Sequence, residues 1–224
     1  MKSVRVSLAF LTLFFLAVPM LHAQDLSKYR VFSLGSSLAT VLKHTDQKIE
    51  DVKLIHASPA LIQDLTWWPP SLPGMPYRAD TVEQIQFSFC NSALYKIAVT
   101  YDRSSTEGLT REDLVKSLSL KYGPAVIVTA VADTATKEQY DAREEPIASW
   151  EDSQSSVNLV GSGFSGGFNL LIASKRLNAE AELALAEAAR LDKQQGPQRE
   201  ADRQKKEIDD LELTRQRNQK SFRP

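Results

Sequence analysis

Gly163-Phe164-Ser165-Gly166-Gly167 has the G-x-S-x-G spacing of a nucleophile elbow, the turn that lifts a serine hydroxyl out for attack on an acyl carbon. That serine needs a histidine to take its proton, and in the hydrolases built on the elbow the histidine follows the serine. The three histidines here, His22, His44 and His56, all precede Ser165, so the elbow is rejected. A trypsin-like order of His56, Asp102 and Ser165 passes the order test. Residues 24–174 are few for a double barrel, however, and Phe164 stands where an acidic residue usually precedes that serine. The glycines around Ser165 read as hairpin-turn residues.

Metal chemistry asks for clustered ligands, and neither His44-Thr45-Asp46 nor His56-Ala57-Ser58 offers a second strong one at useful spacing. Glu144-Glu145 and Glu151-Asp152 could do acid/base work only if they faced each other, and neighbours on a strand point to opposite faces. They read as solvated charges. There is no GxxxxGK[ST] phosphate loop and no dinucleotide fingerprint. No catalytic residue, cofactor site or metal ligand is predicted.

The residues with binding character are Trp67-Trp68-Pro69-Pro70-Ser71-Leu72-Pro73-Gly74-Met75-Pro76-Tyr77. Adjacent tryptophans on a strand face opposite sides, so one belongs to a core and the other is displayed beside a proline-stiffened loop. Exposed Trp, Met and Tyr on a low-entropy loop have the composition of an interaction hot spot. Trp67, Trp68, Met75, Tyr77 and, in the second half of the chain, Trp150 are the candidate interaction residues.

The elements that must position them follow from pattern. Thr110 can cap a helix, with Asp113 reaching back in a capping box; Leu114, Val115, Leu118 and Tyr122 recur on one face, and Gly123-Pro124 ends the run. Gly35-Ser36-Ser37 followed by Leu38, Val41 and Leu42 has the same order 73 residues earlier. A tryptophan-bearing segment and two alternating runs follow each helix. They are 85–89 and 94–101 in one half, and 157–160 and 168–172 in the other, as half-buried antiparallel strands would be. Tyr95 to Phe168, Ile97 to Leu170 and Val99 to Ile172 keep the offset of 73. The fold class predicted is α+β: two tandem units of a helix plus an antiparallel three-stranded meander, with halves at about 33–101 and 107–174. Each sheet would be covered on one face and wet on the other.

Gly108-Leu109-Thr110, Asp113-Leu114-Val115, Leu118 and Tyr122-Gly123-Pro124, with a Trp strand and an aromatic strand downstream, resemble the repeat unit of the β-lactamase inhibitor protein-like superfamily. Its single-unit relatives are small outer-membrane assembly lipoproteins. The resemblance implies a fold and a binding style. The chain departs from the lipoproteins in lacking a lipobox cysteine, and from the inhibitor in lacking paired disulfide cysteines.

Lys2 and Arg5, the apolar run Leu8 to Val18, and Leu21-His22-Ala23 follow the n-, h- and c-region order of a secretory signal, with cleavage expected after Ala23. Removing 1–23 takes Lys2 and Arg5 from 27 basic residues and leaves 25 against 28 acidic, a net charge of −3. That balance argues against nucleic acid, and no later stretch is long and apolar enough for a span. The lone Cys90 can form no intramolecular disulfide, so packing must stabilise the domain.

From Lys175 the composition turns to Ala, Glu, Leu, Lys, Arg and Gln. Residues 175–224 read as a charged helical tail, solvated and fraying, interrupted at Gly196-Pro197. Leu177, Ala184 and Leu191 recur every seven and permit a short coiled-coil seam. The function expected is that of an exported, periplasmic or secreted binding module with a protein partner in the cell envelope. The alternatives are an envelope hydrolase with a carboxylate-based site and a structural accessory protein.

Overall fold

A computed structural model describes residues 25–70, 80–128, 144–162 and 167–223. The expected signal peptide, Met75, Tyr77 and Ser165 lie outside these residues. The chain begins with a two-residue hairpin, β1 (Lys28–Tyr29) and β2 (Phe32–Ser33), followed by helix α1 (Leu38–Thr45). Strands β3 (Lys53–His56), β4 (Ile62–Trp67), β5 (Val82–Cys90) and β6 (Ala93–Tyr101) come next. After α2 (Arg103–Thr106) and α3 (Arg111–Tyr122) the second half supplies β7 (Val126–Ile127), β8 (Glu144–Glu151), β9 (Ser155–Ser162) and β10 (Phe168–Ser174). Helix α4 (Lys175–Ser221) follows β10 directly.

Both α1 and α3 start as their residues dictate. Ser37 caps α1 by accepting from the Thr40 N–H, and Thr110 caps α3 from the Asp113 N–H in a reciprocal capping box. Gly35 and Gly108 precede these caps with φ of +82° and +80°, a left-handed backbone that disfavours any residue carrying a Cβ. Val41 and Leu114, 73 residues apart, are among the buried contacts of the two helices, with Leu38 and Tyr122.

The two meanders, β4-β5-β6 and β8-β9-β10, do not form separate sheets. They join through an antiparallel β6–β10 pair into one eight-stranded sheet of order β3-β4-β5-β6-β10-β9-β8-β7. Strands β3 and β7 add a short edge on each side. Four and two residues long, they carry too little periodicity to be read from sequence. Asn91 and Ser92 turn β5 into β6 with φ of 49° and 65°, the paired left-handed residues of a type I′ hairpin.

The register lays continuous apolar rows across the junction. Leu65, Phe87, Ile97, Ile172, Val157 and Trp150 are successive cross-strand partners, and all are buried in the main core under α1 and α3. The opposite face is not left wet throughout. Leu177, Ala181 and Leu185 of α4 pack on Ile62, Cys90 and Tyr95, so the first turns of the expected solvated tail belong to the fold. Nor does Gly196-Pro197 interrupt the helix. Pro197 surrenders one N–H on an exposed stretch where water can satisfy the freed carbonyl, and the charged helix formers on both sides carry α4 through.

Candidate functional site

Alternation along β4 sends Leu65 and Trp67 to the core and Asp64 and Thr66 to the other face. Trp67 packs edge-on against Phe32, with ring centroids 5.8 Å apart. Trp68, one residue past the strand, is 60% exposed. The pair divides into one core and one displayed ring, Trp67 on the strand's inward face and Trp68 where the strand has ended.

Trp68 borders a cleft of about 350 Å³ lined by Gln47, Asp51, Lys53, Asp64, Thr66 and Gln86. Three elements build it. The end of α1, where Asp46 turns left-handed at φ 53°, delivers Gln47, whose Nε2 donates to the Thr66 carbonyl at 3.1 Å. A 3₁₀ turn (Ile49–Asp51) holds Asp51 in place as its carboxylate accepts the Lys48 N–H. On the sheet, Lys53 stands opposite Asp64 in the β3–β4 register, and Gln86 Nε2 donates to Asp64 Oδ2 at 3.1 Å.

Gln47 Oε1 is buried and accepts no hydrogen bond. A buried acceptor without a donor is costly, and a ligand N–H or O–H would relieve it. With it the cleft offers two carboxylates, one ammonium, two amides, a hydroxyl and an aromatic plate. This set suits donors and apolar rings, and no histidine lines it that could act as an imidazole base for the Thr66 hydroxyl.

The other residues singled out by sequence have structural duties. Trp150 is buried at 2% exposure, and its Nε1 donates to the Gly123 carbonyl at 2.8 Å, so it ties β8 to the end of α3 and does not join Trp68 on the surface. Asp102 caps α2, accepting from the Ser105 N–H at 3.1 Å and from the Ser104 hydroxyl. The described carboxylates read as solvated are exposed, and they have surface partners. Glu145 pairs with Arg111, which holds its carboxyl below the usual range; Glu151 pairs with Lys175 at 2.7 Å; Asp152 accepts the Gln154 and Ser155 N–H groups. Glu144 carries no described side chain. Cys90 is buried beneath Ala181, and burial pushes its thiol up, away from the reactive thiolate.

A second polar constellation has no local sequence signal, because its members meet only in three dimensions. Tyr29, Tyr101 and Tyr122 gather where the first hairpin meets α3 and the end of β6, and burial raises all three phenols. Lys121 Nζ lies 5.0 Å and 4.7 Å from the Tyr29 and Tyr122 ring centroids. Arg30 Nη1 donates to Asp80 Oδ2 at 2.7 Å beside them. Phenols held protonated donate hydrogen bonds and are poor nucleophiles, so this cluster locks the hairpin onto the body.

Among the described residues, no three or more His, Cys, Asp or Glu gather as a metal cluster would, and no helix is long and apolar enough to cross a membrane. No family model, curated protein or solved structure matches the chain.

Proposed function

We propose that this chain is an exported binding module of the cell envelope that captures a protein partner at the Trp68 cleft, acting by recognition and not by catalysis. The observation that carries the reading is the displayed Trp68 ring at the end of β4 and the unpaired Gln47 carbonyl just past α1, which line one cleft. A rigid aromatic and a buried unmet acceptor are the components of a hot spot: little entropy is lost on binding, and a donor from the partner relieves an existing cost. The secretory-type segment 1–23 supports the compartment. The repeated helix-plus-meander unit and the resemblance of 108–124 to the β-lactamase inhibitor protein-like superfamily support the binding style.

Affinity capture from the native envelope tests it, comparing the wild-type chain with Trp68→Ala and Gln47→Leu. Trp68 is exposed, so its truncation leaves the melting temperature within about 2 °C. Loss of the captured protein in both variants at unchanged stability is the expected result. Capture that persists in both variants defeats the proposal.

A further inference from the structure

From Gln198 to Arg223 every described side chain is exposed, so the last turns of α4 stand clear of the body. Isolated helices in water are marginal without a partner for an apolar face. This stretch has such a face. Ala201, Ile208 and Phe222 fall at spacings of seven or fourteen, with Leu211 three residues after Ile208, which are the a and d positions of a heptad. Ile208, Leu211 and Phe222 are 66%, 75% and 74% exposed, and Leu211 and Phe222 line one groove with Arg215 and Asn218.

We propose that this face pairs with the same face of a second copy, antiparallel, with Ile208 packed on the partner's Leu211 and Leu211 on the partner's Ile208. This goes beyond the Trp68 reading and does not depend on it. Charge selects the arrangement. In a parallel pair, Arg215 would lie against the partner's Arg215 in a core layer, and Glu207 would flank the partner's Glu212. Antiparallel, Arg215 meets the partner's Gln204, and Lys205 flanks the partner's Glu212 on both sides of the centre. Lys205 and Glu212 make no ion pair within the helix, whereas the neighbouring Glu200, Arg203 and Glu207 do. Register is selected too. Sliding one heptad either way sets Lys205 on the partner's Lys205 or Glu212 on the partner's Glu212. In the chosen register Phe222 reaches the partner's Pro197, so the overlap covers the part of α4 that carries no contact with the body.

Sedimentation of the chain from about 1 to 100 μM is expected to show a reversible dimer. Ile208→Ser with Leu211→Ser abolishes it. Lys205→Glu weakens it on the order of tenfold, and Lys205→Glu with Glu212→Lys restores it. Orientation is read by oxidation, since Cys90 is buried and silent. A mixture of Ile208→Cys and Leu211→Cys chains forms a disulfide, while neither variant does so alone. A monomer throughout the range, a dimer that survives the double serine variant, a disulfide formed by either variant alone, or a monomer that instead binds anionic lipid vesicles would each overturn the proposal.

Discussion

Ala98 and Leu171 sit directly opposite each other in the β6–β10 pair, and they are 73 residues apart, the separation of Gly35 from Gly108 and of Val41 from Leu114. Each is therefore paired with its own equivalent, and a pseudo-twofold axis passes between them. On either side the axis exchanges Ile97–Ile172 with Leu170–Val99, so the repeat offset and the strand register express the same symmetry.

Cooperative unfolding follows from that junction, because the apolar row from Leu65 to Trp150 crosses both halves. Denaturant unfolding should be a single transition in which circular dichroism and tryptophan fluorescence coincide, Trp67 and Trp68 reporting one half and Trp150 the other. Two separated transitions would show that the halves unfold independently.

Trp150→Ala should cost about 3–5 kcal/mol, since it empties a fully buried site and strands the Gly123 carbonyl. Trp68→Ala should cost less than about 0.5 kcal/mol. Urea midpoints of the two variants make the comparison, and equal losses would contradict the assignment of one ring to the core and the other to the surface.

Alkaline pH should unfold the protein. Burial raises Tyr29, Tyr101 and Tyr122 and pushes Tyr95 up to about 12, from an ordinary value of 10.0. A raised phenol contributes stability that is complete below about pH 10 and is lost as pH rises through its folded value. Tyrosinate absorbance should therefore rise together with the loss of helix signal above pH 10. Ionisation of all six phenols near pH 10 in a folded chain would refute the clustering.

At the acid end, Arg30 holds Asp80 below the usual carboxylate value of 3.8. That contribution is present above about pH 4 and is lost as pH falls through the depressed folded value. Asp80→Asn should make the acid limb of the stability profile shallower, measured by melting temperature between pH 2 and 5. An unchanged limb would show that the pair is unimportant.

Because α4 covers Cys90, Ala181→Asp should expose the thiol. A thiol reagent that labels the native chain slowly should label this variant at least about tenfold faster, as the helix lifts from Ile62 and Tyr95. Deletion from residue 198 onward, where α4 stands clear of the body, should leave labelling slow.

Much of the frame was readable from neighbours in the chain. The capping box Thr110–Asp113, the caps before α1 and α3, the alternation in β5 and β10 and the division of Trp67 from Trp68 depend on spacings of one to four residues, where local sterics and hydrogen bonds decide. The Trp68 cleft was half legible: the displayed ring was expected, but Gln47, Asp51, Lys53, Asp64 and Gln86 come from different elements with no shared spacing. The burial of Trp150 and the partners of the exposed carboxylates were not legible, because a side chain at that distance in sequence has no local mark of what will pack against it.

By itself, then, the sequence determined the units: two capped helices, their meanders, the 73-residue repeat and a long charged helix former. Tertiary structure alone decided how they combine. The β6–β10 junction merged two sheets into one because each unit otherwise ends in an open strand edge with unpaired backbone groups. It also seated the start of α4 over Cys90, because an apolar patch there on the second face was large enough to bury Leu177, Ala181 and Leu185. Both choices turn on surfaces that exist only after the strands have paired.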